Sequence, residues 1–263
     1  MAMAAERRQI MRLPKDKTVI VERHNKVVYD CGDTVAKVFN GNKPAADILN
    51  EALNLARAEQ AGIDVPELVE VGTVGQNWAI VTKKVEGKTL RQMINEDPTL
   101  ECMADFVELE MHVHAHKNAL LNRQKDKYTR MINSLSEDLV SEATRYELLV
   151  RLDGMPNHNK VCHGDFVPSN IIVRDNGSKC ICDWAHATQG NGAADCATTY
   201  LHLQLNGEKE AAEKYLRTYV ERQGCSMAYV QSWMSIVAAA ELARGRVVEQ
   251  DYLLSMIDVV DYS

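Results

Sequence analysis

The stretch Val161-Cys162-His163-Gly164-Asp165-Phe166-Val167-Pro168-Ser169-Asn170 runs directly into the apolar triplet Ile171-Ile172-Val173. Ile181-Cys182-Asp183-Trp184 then places another aspartate thirteen residues after Asn170. Ile171–Val173, the turn residues Asp175-Asn176-Gly177 and Lys179–Cys182 read as a β-hairpin. A hairpin returns its two ends to one place, so Asn170 and Asp183 are expected at the same end. One amide oxygen and one carboxylate are hard donors that suit a magnesium ion keeping several of its waters. Asp165, five residues before Asn170, is the candidate to accept or orient the proton of a hydroxyl. His163 is expected to brace the loop from inside. Phosphoryl transfer needs an aligned nucleophile and metal ions that neutralise phosphate charge, and little covalent help. The pattern therefore points to magnesium-dependent transfer from a nucleotide. A strand–turn–strand whose polar residues only satisfy backbone groups does not account for three such roles at this spacing.

His163-Gly164-Asp165-Phe166-Val167-Pro168-Ser169-Asn170, with Asp183-Trp184 after the hairpin and Ala194-Asp195 beyond it, resembles the aminoglycoside/choline phosphotransferase family, small-molecule relatives of the protein kinases. The resemblance spans about Thr18 to the last helices, and its specific part is the catalytic segment. It implies an α+β, two-lobed protein-kinase-like fold, with a small antiparallel-sheet lobe, one helix in it, and a larger, mostly helical lobe. The expected boundaries are residues 1–82 for the nucleotide-binding lobe, 83–88 for a hinge and 89–263 for the catalytic and substrate-binding lobe. It also implies ATP or GTP as co-substrate, Mg2+, and a small hydroxyl-bearing acceptor.

The amino-terminal part supplies the pieces such a lobe requires. Thr18–Arg23, Val27–Asp30 and Thr34–Phe39 are β-prone runs separated by turn residues. Residues 44–61 read as a helix, with Ile48, Ala52, Leu55 and Ala58 near helical spacing. By the resemblance, Lys37 meets the nucleotide phosphates and pairs with Glu51, and Lys83, Lys84 and Val85 belong to the segment that holds the base. Asp195 is expected to support the catalytic loop or to cap the helix after it. The turn Arg23-His24-Asn25-Lys26 lacks the glycines that let backbone amides approach a phosphate; Lys26 or Arg23 is the substitute source of charge.

Other readings carry less. His112 and His116 have helical metal-binding spacing, but His116 falls in the apolar stripe Phe106, Leu109, Val113, His116, Leu120 and is expected as a packing residue. Cys180 and Cys182 share a strand face without the partners a zinc site needs, and seven cysteines read as reduced thiols. Beyond Asp183, residues 195–205, 208–223, 227–243 and 248–260 read as helices, with Trp184, His186, Tyr200 and His202 as candidates to face the acceptor.

Protein-kinase activity is disfavoured. Gly164 replaces the usual arginine, Val167 the usual lysine and Asp183-Trp184-Ala185 the Asp-Phe-Gly triplet, and Asp195 follows Asp183 by only twelve residues. A kinase-shaped binding or regulatory protein is the rival that the glycine-free turn supports. Charged residues at 25% and apolar residues at 46% agree with a globular cytoplasmic enzyme, and a net charge of −7 argues against a nucleic-acid partner; a monomer or weak dimer is expected. No apolar run is long enough to span a membrane.

Overall fold

The computed structural model describes residues 11–97, 99, 101–117 and 119–257. In chain order it begins with β1 (Thr18–Arg23), β2 (Lys26–Asp30), β3 (Thr34–Phe39), α1 (Ala45–Gln60), β4 (Leu68–Val74), β5 (Asn77–Lys83) and β6 (Lys88–Thr89). Helices α2 (Leu90–Glu96), α3 (Met103–Ala115), α4 (Gln124–Ser134) and α5 (Glu142–Gly154) follow. Next come the short strands β7 (Lys160–Cys162), β8 (Ile171–Val173), β9 (Lys179–Ile181) and β10 (Thr188–Gly190). The last elements are α6 (Gly192–Leu205), α7 (Lys209–Gln223), α8 (Met227–Gln231), α9 (Met234–Ala243) and α10 (Gln250–Ile257). The α+β class expected from sequence is the class observed.

Two compact units divide the chain: residues up to Leu90 together with Asn170–Ala185, and Arg91–Ser169 together with His186 onward. The hairpin that the sequence boundaries assign to the second lobe thus folds with the first unit. The first unit is built on an antiparallel sheet in the order β1-β2-β3-β5-β4. Successive side chains of a strand point to opposite faces, and β5 shows it. Ala79 and Val81 pack with Met11 and Ala36, while Ile80 packs with Phe39, Ile48 and Ala52 from the α1 side. Asp47 in the first turn of α1 and Arg57 in its last complement the helix dipole.

In the same unit, β8 and β9 pair in antiparallel register and β6 adds a third strand. Gly177 closes the hairpin at φ 81°, where its missing Cβ removes the steric penalty. Arg174 grips Asp64 with two hydrogen bonds of 2.6 and 2.8 Å, and the Ile181 amide donates to Asp64 O at 2.9 Å.

The second unit is helical around the antiparallel pair β7–β10. Phe106 of α3 stacks on Phe166 at 4.8 Å between ring centroids, an aromatic pairing worth about 1 kcal/mol beyond area burial. Helix α9 is buried from Ser235 to Leu242, as an almost uniformly apolar helix must be; Glu241 is the charged residue inside that run.

Three sequence expectations need correction. Helix α3 ends at Ala115, so His116 and Leu120 leave the apolar stripe; Leu120 is 73% exposed, and the buried histidine is His114. The expected helix 227–243 is broken at Ser232-Trp233, where Trp233 is buried and Ser226 caps α8. Helix α6 starts before Asp195, capped by the Asn191 side chain, which accepts from the Ala193 amide. The expected last helix is seen from Gln250 to Ile257, and residues 258–260 lie outside the described residues.

Candidate active site

In the first unit the charged residues singled out by sequence converge. Lys37 projects from β3 and its Nζ lies 2.5 Å from Glu51 Oε1 of α1 and 3.0 Å from Asp183 Oδ1. Lys43 Nζ holds the other Glu51 oxygen at 2.8 Å, and Lys26 Nζ holds Asp183 Oδ2 at 3.0 Å. Burial disfavours a charged ammonium at Lys37, yet the carboxylates of Asp183 and Glu51 outweigh it and raise its pKa above the ordinary lysine value. Burial likewise opposes ionisation of Asp183, but Lys37 and Lys26 together pull its pKa well below the carboxylate range. Both groups are therefore fixed in their charged forms.

Asp183 sits at φ 61°, a left-handed conformation that costs a non-glycine residue and persists only when neighbours impose it. The neighbours are visible. The Trp184 indole, buried, donates to Ile181 O at 2.8 Å, and Asn54 of α1 donates to Trp184 O at 3.1 Å. Trp184 is thus a structural pin, not the acceptor-facing residue expected from sequence. At the same open end of the hairpin, the Cys182 amide donates to Asn170 O at 2.8 Å, which sets Asn170 opposite the residue before Asp183. An amide and an ionised carboxylate so placed are the donor chemistry that a hard divalent cation takes.

The expected hinge residues are more dispersed. Lys83 pairs with Glu67 on the surface, and Lys84 pairs with Asp30 and Glu86. Their amides donate to Glu67 O and Asp33 O. Val85 lines a cavity of about 500 Å³ with both lysines and Arg174.

In the second unit the loop after β7 is held by Asp195. Its Oδ2 accepts from the His163 amide at 2.7 Å and stands 3.1 Å from His114 Nε2, and Oδ1 accepts from the Gly164 amide at 2.7 Å. Burial raises the Asp195 pKa, and the histidines and amides reverse that, leaving it low. His163 is fully buried and its Nδ1 accepts from the Asp165 amide at 3.2 Å. Gly164 has φ 76°, and a Cβ there would stand 2.5 Å from His186 O.

Asp165 itself is held from the other side. Oδ1 lies 3.0 Å from His202 Nδ1, while His202 Nε2 lies 3.0 Å from Glu241 Oε2. Arg244 and Arg246 meet Glu241 at 2.6 and 2.8 Å. Burial disfavours the His202 cation, but Glu241 and Asp165 push its pKa up to about 9. Burial also disfavours the Asp165 anion, and His202, Arg244 and His186 overcome it to hold the carboxyl far below its usual range. The carboxylate is thereby held ionised, as an acceptor for a hydrogen bond or a proton. Sequence reading missed Glu241, Arg244 and Lys127, whose Nζ donates to the His186 carbonyl; all three lie far from residues 161–170 along the chain. Of the pair Tyr200 and His202, only His202 reaches Asp165; Tyr200 hydrogen-bonds Glu213 and Gln204.

The profile of the phosphotransferase enzyme family matches residues 22–227, well over half of the chain. No curated protein sequence matches significantly. Among solved structures, a thermostable mutant of aminoglycoside phosphotransferase APH(4)-Ia, in ternary complex with ADP and hygromycin B, superposes with a TM-score of 0.70 at 14% identity, over 93% of this chain and 92% of that one. An aminoglycoside-3'-phosphotransferase of type VIII gives 0.62 at 18% identity, over 84% and 93%. A choline/ethanolamine kinase family protein from Mesorhizobium loti gives 0.60 at 16% identity, over 92% and 84%. These likenesses agree on the protein-kinase-like fold, and the profile match settles the family: the chain belongs to the phosphotransferase enzyme family.

Proposed function

We propose that this phosphotransferase moves the γ-phosphate of ATP or GTP to a hydroxyl of a small polar molecule, in the class that includes aminoglycosides, choline and sugars. The observation that carries this reading is Asp183, ionised in a left-handed turn and met by Lys37, which is itself seated on Glu51. Asn170 and Asp183 would hold Mg2+, which when bound neutralises phosphate charge. Lys37 binds phosphate oxygens and Glu51 keeps its ammonium aimed. Lys83, Lys84 and Val85 belong to the segment assigned to the base. Asp165 orients the acceptor hydroxyl and takes up its proton as the new O–P bond forms, with His163 and Asp195 holding its loop. We place the protein in the cytoplasm as a monomer or weak dimer; among the described residues no helix is long and apolar enough to cross a membrane.

A binding protein of kinase shape is the second reading, favoured by one observation: Lys26, from the glycine-free turn, lies on Asp183. Thermal denaturation with ATP and GTP, with and without magnesium, on wild type and Asp183→Asn separates the outcomes. Magnesium-dependent stabilisation of wild type alone supports the proposal. A nucleotide at about a hundred times its Kd adds ~2.7 kcal/mol. No stabilisation by either nucleotide moves the protein to the second reading.

A further inference from the structure

The charge beside Asp165 has the sign opposite to that of the whole chain. Among the described residues, four cationic side chains, Lys127, His202, Arg244 and Arg246, gather with two carboxylates, Asp165 and Glu241. Asp195, the next acid, is taken up by His114 and two backbone amides. Lys127 is half-buried, and its Nζ donates to a neutral group, the His186 carbonyl, at 2.8 Å. Arg244 Nη2 donates to the Gly164 carbonyl at 3.2 Å, and its Nε–H is buried with no acceptor among the described residues. Gly164 and His186 are in contact across the loop that carries Asp165, since a Cβ on the first would press on the carbonyl of the second. Lys127 and Arg244 therefore stand on adjoining backbone groups next to the residue assigned to the acceptor hydroxyl. A partly buried excess of positive charge is costly until an anion offsets it. Burial, together with Arg244, depresses Lys127 to about 7 against the opposing pull of Glu241, Asp195 and Asp165; its Nζ is hydrogen-bonded to a carbonyl and to none of these carboxylates.

We propose that the acceptor carries an anionic group, a carboxylate or a phosphate, that docks on Lys127 and Arg244 while its hydroxyl meets Asp165. The acceptor is then a hydroxy acid, a sugar acid or a sugar phosphate. A polyamine or quaternary amine would add positive charge where there is already a surplus. The inference rests on the assignment of Asp165 to the acceptor. The same cations would also suit a nucleotide phosphate, and the test separates these two sources.

Isothermal titration of the full chain with gluconate, glucose 6-phosphate, glucose, choline and kanamycin, alone and at saturating magnesium–nucleotide, tests it. Expected is binding of an anionic probe that persists with nucleotide present. Near pH 7 it should take up a proton, seen as a heat that changes with buffer, because the anion raises the Lys127 pKa. Lys127→Met should weaken the anion about tenfold to a hundredfold, the range of a charge-assisted hydrogen bond, and abolish the proton uptake; Lys127→Arg should retain binding. Exclusive binding of glucose or of the amines overturns the proposal, as does binding of none. Displacement of the anion by nucleotide assigns the cations to the nucleotide and overturns it too. The wild-type titration and its proton uptake decide the matter even if Lys127→Met fails to fold. The magnesium–nucleotide stabilisation of wild type and its loss in Asp183→Asn report separately on phosphotransfer, so the two failures are distinguishable.

Discussion

Glu51 carries two ammonium groups on one buried carboxylate, Lys37 on one oxygen and Lys43 on the other. Removing a single partner from such a cluster costs more than the cluster contributes, because the remaining charges stay in low dielectric. Glu51→Gln is therefore expected to destabilise the protein by about 3 kcal/mol, measured as a lowered urea midpoint at unchanged slope. It should also weaken nucleotide binding, because Lys37 loses its seat. At Gly164 the backbone is the issue. Gly164→Ala combines a left-handed φ with a Cβ pressed on a backbone carbonyl, a strain of about 1–3 kcal/mol. Its effect on turnover should exceed its effect on stability, since the displaced residue adjoins Asp165; kcat and the unfolding midpoint on one preparation give the comparison.

Among the elements, the hairpin was the most legible, because a turn signature flanked by apolar triplets leaves few alternatives. Its tie to the loop after α1 was not legible: Asp64 and Arg174 are far apart in sequence and neither sits in a motif. That tie looks strong on paper, yet Asp64 is 46% and Arg174 30% exposed along their side chains. Solvent screening limits such a pair, so Arg174→Ala should cost less than about 1 kcal/mol by denaturant titration. The Ile181 amide bond to Asp64 O and the pairing with β6 would remain. Helix ends were read less well than helix existence. Periodicity carried the α3 stripe past its true end because His116 and Leu120 fit an apolar spacing while the chain had already turned extended. Similarly, nothing in residues 227–243 warned that Trp233 would be buried at a break. Asp165, Asn170 and Asp183, the trio proposed for catalysis and metal binding, stand out in the sequence by their spacing. The Glu241 and His202 chain behind Asp165 does not, since tertiary packing brings α6 and α9 to that loop.

Across the whole molecule, a net charge of −7 coexists with a cationic cluster around Asp165, so global charge is a poor guide to what this protein binds. The buried ionised groups also set how its stability follows pH. The His202 pKa is raised from 6.5 to about 9, so its contribution is complete below pH 6.5 and is lost as pH rises through about 9. Asp165 and Glu241 are depressed from 3.8 and 4.5. Their contributions are present above those values and vanish as pH falls through the depressed ones. Stability should therefore peak between about pH 5 and 7 and fall on the alkaline side. The fall should flatten in His202→Gln, as followed by melting temperature in steps of pH. The division of the chain also bears on how it is made. The first unit is interrupted by Arg91–Ser169 and completed only by Asn170–Ala185, so on a ribosome its first ninety residues emerge long before Asp183, the second carboxylate that meets Lys37. Lys37 and Lys26 must wait for Asp183 through the synthesis of α3, α4 and α5. A nascent chain stalled before residue 170 lacks Asp183, so Lys26 is without that carboxylate and Lys37 keeps Glu51 alone.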